Sequence, residues 1–148
     1  MVSYNEAQAQ LSYEISVYRE QMNMLKKETE RVSLTALDLT NALKSVDGLG
    51  ASKVLIPIGG GAMIHGTLSG QNVIVPIGGG YLLEMKKDVA SLELQKRITA
   101  TNSAVEKLTS EFNRLNEKLR TLSGQMSQLT SDAKIDSNVN ENSKEDYL

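Results

Sequence analysis

"VLIPIGGGAMIHG" fills residues 54–66 and "VIVPIGGGYLLEM" fills residues 73–85. The two stretches align at an offset of 19 residues, with Val54, Pro57, Ile58 and three glycines matching Val73, Pro76, Ile77 and three glycines. Three glycines after an apolar run are either a phosphate cradle or the bend of a hairpin. A Walker-type loop needs Lys and then Ser or Thr after its last glycine, to hold phosphate and magnesium. Gly61 is followed by Ala62 and Met63, and Gly80 by Tyr81 and Leu82. A dinucleotide fingerprint needs a further glycine at the mouth of a helix, and Ile64 and Leu83 stand in that place. The glycines are therefore read as bends, where positive φ carries no steric penalty. The segment becomes strand, glycine turn, strand, twice over. Val54–Ile58 pairs with Ala62–Leu68, Val73–Ile77 pairs with Tyr81–Lys86, and Ser69–Asn72 joins the two hairpins.

Both runs before the glycines are apolar at every position rather than at alternate ones. Such a strand needs cover on both faces. Four short strands from one chain cannot supply it, because a small open sheet leaves one face wet and two edges unpaired. Pro57 and Pro76 each remove a backbone donor, which suits an edge or a bulge. The segment is thus incomplete alone, and strands from other chains are expected to close it.

The flanking regions have a helical period. From Leu11 an apolar position recurs at alternating steps of four and three, through Ile15, Tyr18, Met22, Leu25, Thr29, Val32, Ala36, Leu39 and Leu43 to Val46. Ser3 and Glu6 have capping-box spacing, so this helix is expected over residues 3–47. Gly48 and Gly50 are expected to end it through a left-handed turn. A second series runs Leu94, Ile98, Thr101, Val105, Leu108, Phe112, Leu115, Leu119, Leu122, Met126, Leu129, Ala133, giving a helix over 88–135. Met85, Val89 and Leu92 lie on a different phase, so the helix changes neighbour near Leu92. Residues 136–148 are polar and without period, and read as a disordered tail. With the hairpins between them at 53–87, the helices pair antiparallel. Anchoring Val46 on Leu94 places Leu25 across from Leu115 and Leu11 across from Leu129. Each seam takes two positions in seven, room for one partner helix. The fold class is α+β within a single domain, residues 1–148: a long antiparallel two-helix coiled coil carrying two β-hairpins at one end.

The chain's 148 residues carry a net charge of −2, one Phe, no Trp and no Cys. Balanced charge gives no pull toward nucleic acid or anionic membrane. The absence of cysteine excludes disulfide and thiol chemistry and fits a reducing compartment. No apolar run approaches the roughly 20 residues of a membrane span, and MVSYNEAQAQ lacks the features of a signal peptide. A cytoplasmic location is expected. His65, the one histidine, has no ligand partner at helical spacing and reads as a half-exposed strand residue. Glu93 with Arg97 and Glu111 with Arg114 have helix-stabilising spacing. No catalytic constellation, metal site or cofactor site is found, so the chain is read as no enzyme. Toward the termini the seams loosen: Gln8 and Ala133 replace large apolar residues, and Tyr4, Ala7, Tyr13, Met126, Ile135 and Val139 are scattered there. Apolar side chains on a fraying coiled coil can repack around many partners. They are equally compatible with ordinary helix ends.

Helix, VLIPIGGGAMIHGTL, VIVPIGGGYLLEM, helix resembles the α-class subunit of prefoldin, archaeal type, over about residues 3–135. The α class carries two hairpins where the β class carries one. Gly66 and Gly70 depart from the family pattern by making the second strand glycine-rich. The resemblance implies an ATP-independent holdase without cofactors. Two α and four β subunits would join their hairpins into a β-barrel platform from which six coiled coils project. Their tips would capture unfolded proteins and pass them to a group II chaperonin. By position, Val54, Leu55, Ile56, Ile58 and Ile64 of the first hairpin and Val73, Ile74, Val75, Ile77 and Leu82 of the second would serve assembly. Tyr4, Ala7, Leu11, Met126, Leu129 and Ala133 would serve client binding at the tips. Neither nucleic acid nor membrane is implied as a partner. The competing reading is a structural coiled-coil oligomeriser or filament former without clients.

Overall fold

A computed structural model describes residues 4–50 and 52–142, with side chains placed through residue 133. The order of elements is α1 (Tyr4–Asp47), β1 (Lys53–Gly59), β2 (Ala62–Thr67), β3 (Asn72–Gly78), β4 (Tyr81–Lys86) and α2 (Lys87–Asn142). The chain divides into two compact units. Arg31–Val105 forms one, and Met1–Glu30 with Glu106–Leu148 forms the other.

In Arg31–Val105 the glycine triplets are bends. Gly60 and Gly61 have φ of 59° and 80°, and Gly79 and Gly80 have φ of 61° and 81°. Positive φ at both central residues makes a two-residue turn whose twist matches that of the flanking strands. The first glycine of each triplet, Gly59 at 107° and Gly78 at 103°, closes a bulge. Pairing steps from Pro57↔Met63 to Gly59↔Ala62 and from Pro76↔Leu82 to Gly78↔Tyr81, so Ile58 and Ile77 are the extra residues. β1 pairs antiparallel with β2 and β3 with β4, and the two hairpins form separate two-stranded sheets.

The core of this unit gathers Val46 of α1, Val75 of β3, and Ala90 and Leu94 of α2, with Leu39, Ala42, Leu43, Val73 and Met85 packed around them. Val46 and Leu94, the pair on which the sequence register is anchored, therefore lie in one cluster. Directly opposed residues of an antiparallel pair share a face. Val73↔Met85 and Val75↔Leu83 put one face of β3–β4 toward the helices. The helix begins at Lys87, and Ala90 and Leu94 are its inward residues, while Val89 and Leu92 stay exposed.

The end of α1 differs from its sequence reading. Gly48 and Gly50 are not among the glycines with positive φ. Backbone turns satisfy the carbonyls of Lys44, from the Gly48 N–H at 3.0 Å, and Val46, from the Leu49 N–H at 3.1 Å, and a side chain takes two more: Lys87 Nζ donates to the carbonyls of Asp47 at 3.0 Å and Leu49 at 2.7 Å. Ser91 Oγ donates to the Asp47 carboxylate at 2.7 Å. An ammonium at a helix C-terminus also opposes the helix dipole. Lys87→Ala is expected to lower the stability of this unit by about 1–2 kcal/mol, read as a fall in the midpoint of chemical unfolding.

Every member of both apolar series, Leu11 to Val46 and Leu94 to Ala133, is buried or half-buried. Within the second unit Leu25 and Leu115, expected to meet, line one groove of about 460 Å³. Two polar ties join the helices there. The Tyr4 hydroxyl donates to the Leu129 carbonyl at 2.7 Å, and Lys118 Nζ donates to the Tyr18 hydroxyl at 3.1 Å while lying 5.3 Å from its ring centre. Both ties reach lower-numbered positions of α2 than the sequence register gives, which put Leu11 across from Leu129. Apolar size matching alone discriminates poorly between neighbouring registers of a heptad seam. The backbone stays helical to Asn142, beyond the end at residue 135 read from the apolar period. Ser3, residues 143–148 of the expected tail and the side chains of Ile135 and Val139 lie outside the described residues.

Candidate interaction surfaces

Hairpin β1–β2 is wet on both faces. Leu55 shares a face with Pro57, Met63 and His65, while Ile56 shares the other with Val54, Ile64 and Gly66. Leu55 is 57% exposed and Ile56 45%, and Ile58, Met63 and Ile64 are exposed with them. His65 is exposed, more open than the half-exposed position expected of it. At the open end of this hairpin the Leu68 N–H donates to the Ser52 carbonyl at 2.8 Å.

Hairpin β3–β4 is different, and here the sequence reading needs correction. Ile74 at 64% exposure, Ile77 and Leu82 face solvent, as assembly residues would. Val75 is only 3% exposed, and Val73 packs beside it against α1 and α2. Val75 is closed off by its own chain, and Val73 is partly covered by it. The run VIVPI is apolar throughout because one face meets the helices and the other stays open.

Arg97 fixes this hairpin in place. Its Nε is bonded to Glu93 at 2.9 Å, and its Nη1 donates to the Pro76 carbonyl at 2.7 Å. A proline at a bulge cannot donate to the ladder, but its carbonyl still needs a partner. The i,i+4 spacing of Glu93 and Arg97 is legible in the sequence, whereas the reach to Pro76 is not. Glu111 and Arg114 form the other expected pair, 2.9 Å from Arg114 Nε to the carboxylate. The guanidinium hydrogen bond holds the Glu111 carboxyl below its usual range. Whatever this pair contributes is present above that range and fades as pH falls through it; both side chains are exposed, so solvent screens it.

The residues read as capture positions sit in Met1–Glu30 with Glu106–Leu148. Ala7, Leu11, Met126, Leu129 and Ala133 are half-buried between the helices, and Tyr4 is just exposed and tied to Leu129. Beside them opens a groove of about 640 Å³ lined by Ser12, Ile15, Ser16, Arg19, Ser123 and Met126, among others. Small serines on both helices leave this space, and Ile15 and Met126 give it an apolar lining. Tyr13, scattered in the sequence reading, is one of the most exposed large side chains of the chain. Among the described residues there is no group of side chains able to hold a metal, and no helix long and apolar enough to cross a membrane.

Comparison with known proteins matches the family model described as "Prefoldin subunit" to residues 18–132. The prefoldin alpha subunit of Methanobrevibacter smithii is 29% identical over 125 residues, covering 81% of this chain and 85% of its own length. That of Methanococcus aeolicus is 38% identical over 61 residues, 40% of this chain and 42% of its own length. Against that relative the match spans about two fifths of the protein. Among solved structures, the prefoldin beta subunit from Thermococcus strain KS-1 superposes with a TM-score of 0.62 at 19% identity, covering 86% of this chain and 96% of that one. Filamentous PFD from Methanocaldococcus jannaschii superposes with a TM-score of 0.60 at 23% identity, covering 75% and 96%. At these identities the two superpositions establish a shared fold.

Proposed function

Because this chain belongs to the prefoldin family, a family of chaperones rather than enzymes, we propose that it is the α-class subunit of an ATP-independent holdase in the cytoplasm. Two copies join four β-class subunits through the hairpins. The observation that carries this reading is the set of apolar side chains left open on both faces of β1–β2 and on the outer face of β3–β4. Large exposed apolar surface on strands with free edges marks an interface rather than a finished fold. The assembly residues are Val54, Leu55, Ile56, Ile58, Ile64, Ile74, Ile77 and Leu82.

Capture of unfolded polypeptides falls to residues 4–11 and 126–133. Their apolar side chains are half-buried against each other, so a client segment gains contact by parting a loosely packed seam or entering the adjoining groove. Several weak sites held on one assembly act together, and avidity replaces tight binding at any one of them. Release to a group II chaperonin then needs no nucleotide, because the chaperonin competes for the same exposed client segments.

The test is mass and protection measured together. Mixed with a β-class prefoldin subunit, the chain is expected to form a hexamer and to suppress aggregation of a denatured test protein. A chain that stays monomeric in that mixture overturns the reading. The structural-oligomeriser reading keeps one observation in its favour: the hairpins repeat, so each copy offers two near-equivalent adhesive units. Large homopolymers of the chain alone, without protection of the test protein, would establish it instead.

A further inference from the structure

The far part of α2 is made of different residues from the stretch before it. Residues 106–120 carry seven charged side chains, among them the bonded pair Glu111 and Arg114. Residues 121–131, TLSGQMSQLTS, carry none. Ion pairs within that stretch therefore cannot support the helix. Four of its hydroxyls turn back on the backbone instead. Thr121 donates to the Glu117 carbonyl at 3.1 Å, Ser127 to Ser123 at 3.0 Å, Thr130 to Met126 at 2.9 Å and Ser131 to Ser127 at 2.9 Å. Such bonds to the carbonyl four residues earlier weaken a helix and favour its bending.

Gly124 stands in the middle of this stretch. Glycine inside a helix disfavours the helical state about fivefold relative to alanine. Packing does not call for it, because Gly124 is exposed and a Cβ there would meet nothing within 4 Å. The stretch of α1 near the Tyr4 tie, EAQAQL at residues 6–11, consists of good helix formers. Of the two helices, α2 is the one built to give.

Two ties bracket the glycine. Before it, Lys118 Nζ reaches the Tyr18 hydroxyl, and after it the Tyr4 hydroxyl reaches the Leu129 carbonyl. The groove of about 640 Å³ opens at the same level, with Ser123 and Met126 on its wall.

We propose that Gly124 is a hinge in α2: residues 125–133 part from α1 as a unit, the Lys118–Tyr18 tie holds the helices together ahead of the bend, and the Tyr4–Leu129 bond is the latch of the closed form. Parting uncovers Ile15, Met126 and Leu129, which are buried or half-buried while the latch is made. The inference rests on the capture reading above and names the movement that admits a client segment.

Amide hydrogen exchange on the full-length chain tests it. Protection in the parent is expected to step down at Gly124 rather than to fade smoothly toward the helix end. Gly124→Ala is expected to slow exchange over residues 125–133 about fivefold, and Tyr4→Phe to speed it, with residues 106–120 unchanged in both. Capture is read in the assembly with β-class subunits, from a benzophenone in place of the exposed Tyr13 ring, so that this chain's own helices report. Half-saturation by a permanently unfolded labelled protein is expected to need about fivefold more of that protein in Gly124→Ala, because the open form is rarer, and less in Tyr4→Phe. A smooth decline in protection, or a shift of exchange in the same direction by both variants, overturns the hinge. A step at Gly124 with half-saturation unchanged in both variants overturns it as the gate of capture. Absence of crosslinks in the parent as well sinks the capture reading, and the exchange step then decides the hinge alone.

Discussion

A chain lacking residues 1–10 and everything from Met126 onward is expected to assemble normally and to lose most of its protection of a denatured protein. The deletion removes Tyr4, Ala7, Met126, Leu129 and Ala133, and with them the Tyr4–Leu129 tie and the Met126 wall of the neighbouring groove. It leaves Arg31–Val105 and the hairpins untouched. On the proposed reading, in which protection depends on several weak sites engaging one client, thinning each site is multiplied across the assembly. At least about tenfold more protein is expected to be needed for half-suppression of aggregation. Light scattering of the client gives the first quantity and sedimentation of the complex gives the second. Full protection after trimming both ends would place capture elsewhere, with exposed Tyr13 and Met24 as the next residues to test.

The second large effect separates two neighbours on one strand. Ile74 and Val75 are adjacent in β3 and point to opposite faces, with Ile74 open and Val75 closed against Ala90 and Leu94. Ile74→Asp places its charge in water in the free chain and in an apolar contact in the complex. It is expected to abolish assembly while leaving the unfolding transition of the isolated subunit within about 0.5 kcal/mol of the parent. Val75→Asp buries an unpaired carboxylate beside Ala90, which has no exposed surface at all. It is expected to cost about 3 kcal/mol or more of subunit stability, before any question of assembly arises. Circular dichroism with chemical denaturation reads stability, and mass in the presence of a β-class subunit reads assembly. Equal loss of stability in both variants would mean that the two faces of β3 are not distinguished as described.

What the sequence discloses here depends on how local each cause is. The glycine bends are legible because positive φ at consecutive residues is a demand that few side chains meet, and the residues after the triplets deny a phosphate reading. The two seams are legible because each is set by a period held over many turns, and every residue in the two series is covered to some degree. Val75 is the opposite case. In a run where every residue is apolar, alternation carries no signal, so the inward face of VIVPI cannot be told from the outward one. The Lys87 cap and the Arg97 tie to Pro76 escape for another reason. Each joins residues far apart in the chain through a long polar side chain, and many lysines and arginines on a solvated helix look the same before the fold is known. Gly48 and Gly50 misled in turn, since a glycine after a helix permits a left-handed exit without requiring one. The capture positions proposed at residues 4–11 and 126–133 rest on family resemblance and on loosening of the seam, and a partly covered seam is a weaker mark than an open apolar face.

The joint between α1 and α2 is closed without help from the first hairpin. Lys87 and Ser91 hold the end of α1, and the residues packed around Val46, Ala90 and Leu94 come from the helices and from β3–β4. β1–β2 is therefore a cassette plugged into a finished hinge. Excising one 19-residue repeat, from Lys53 through Gln71, would bring Ser52 to Asn72 and yield a one-hairpin chain with its socket intact. On the assembly reading, copying such a unit adds adhesive surface without redesigning what holds the ends of the two helices together.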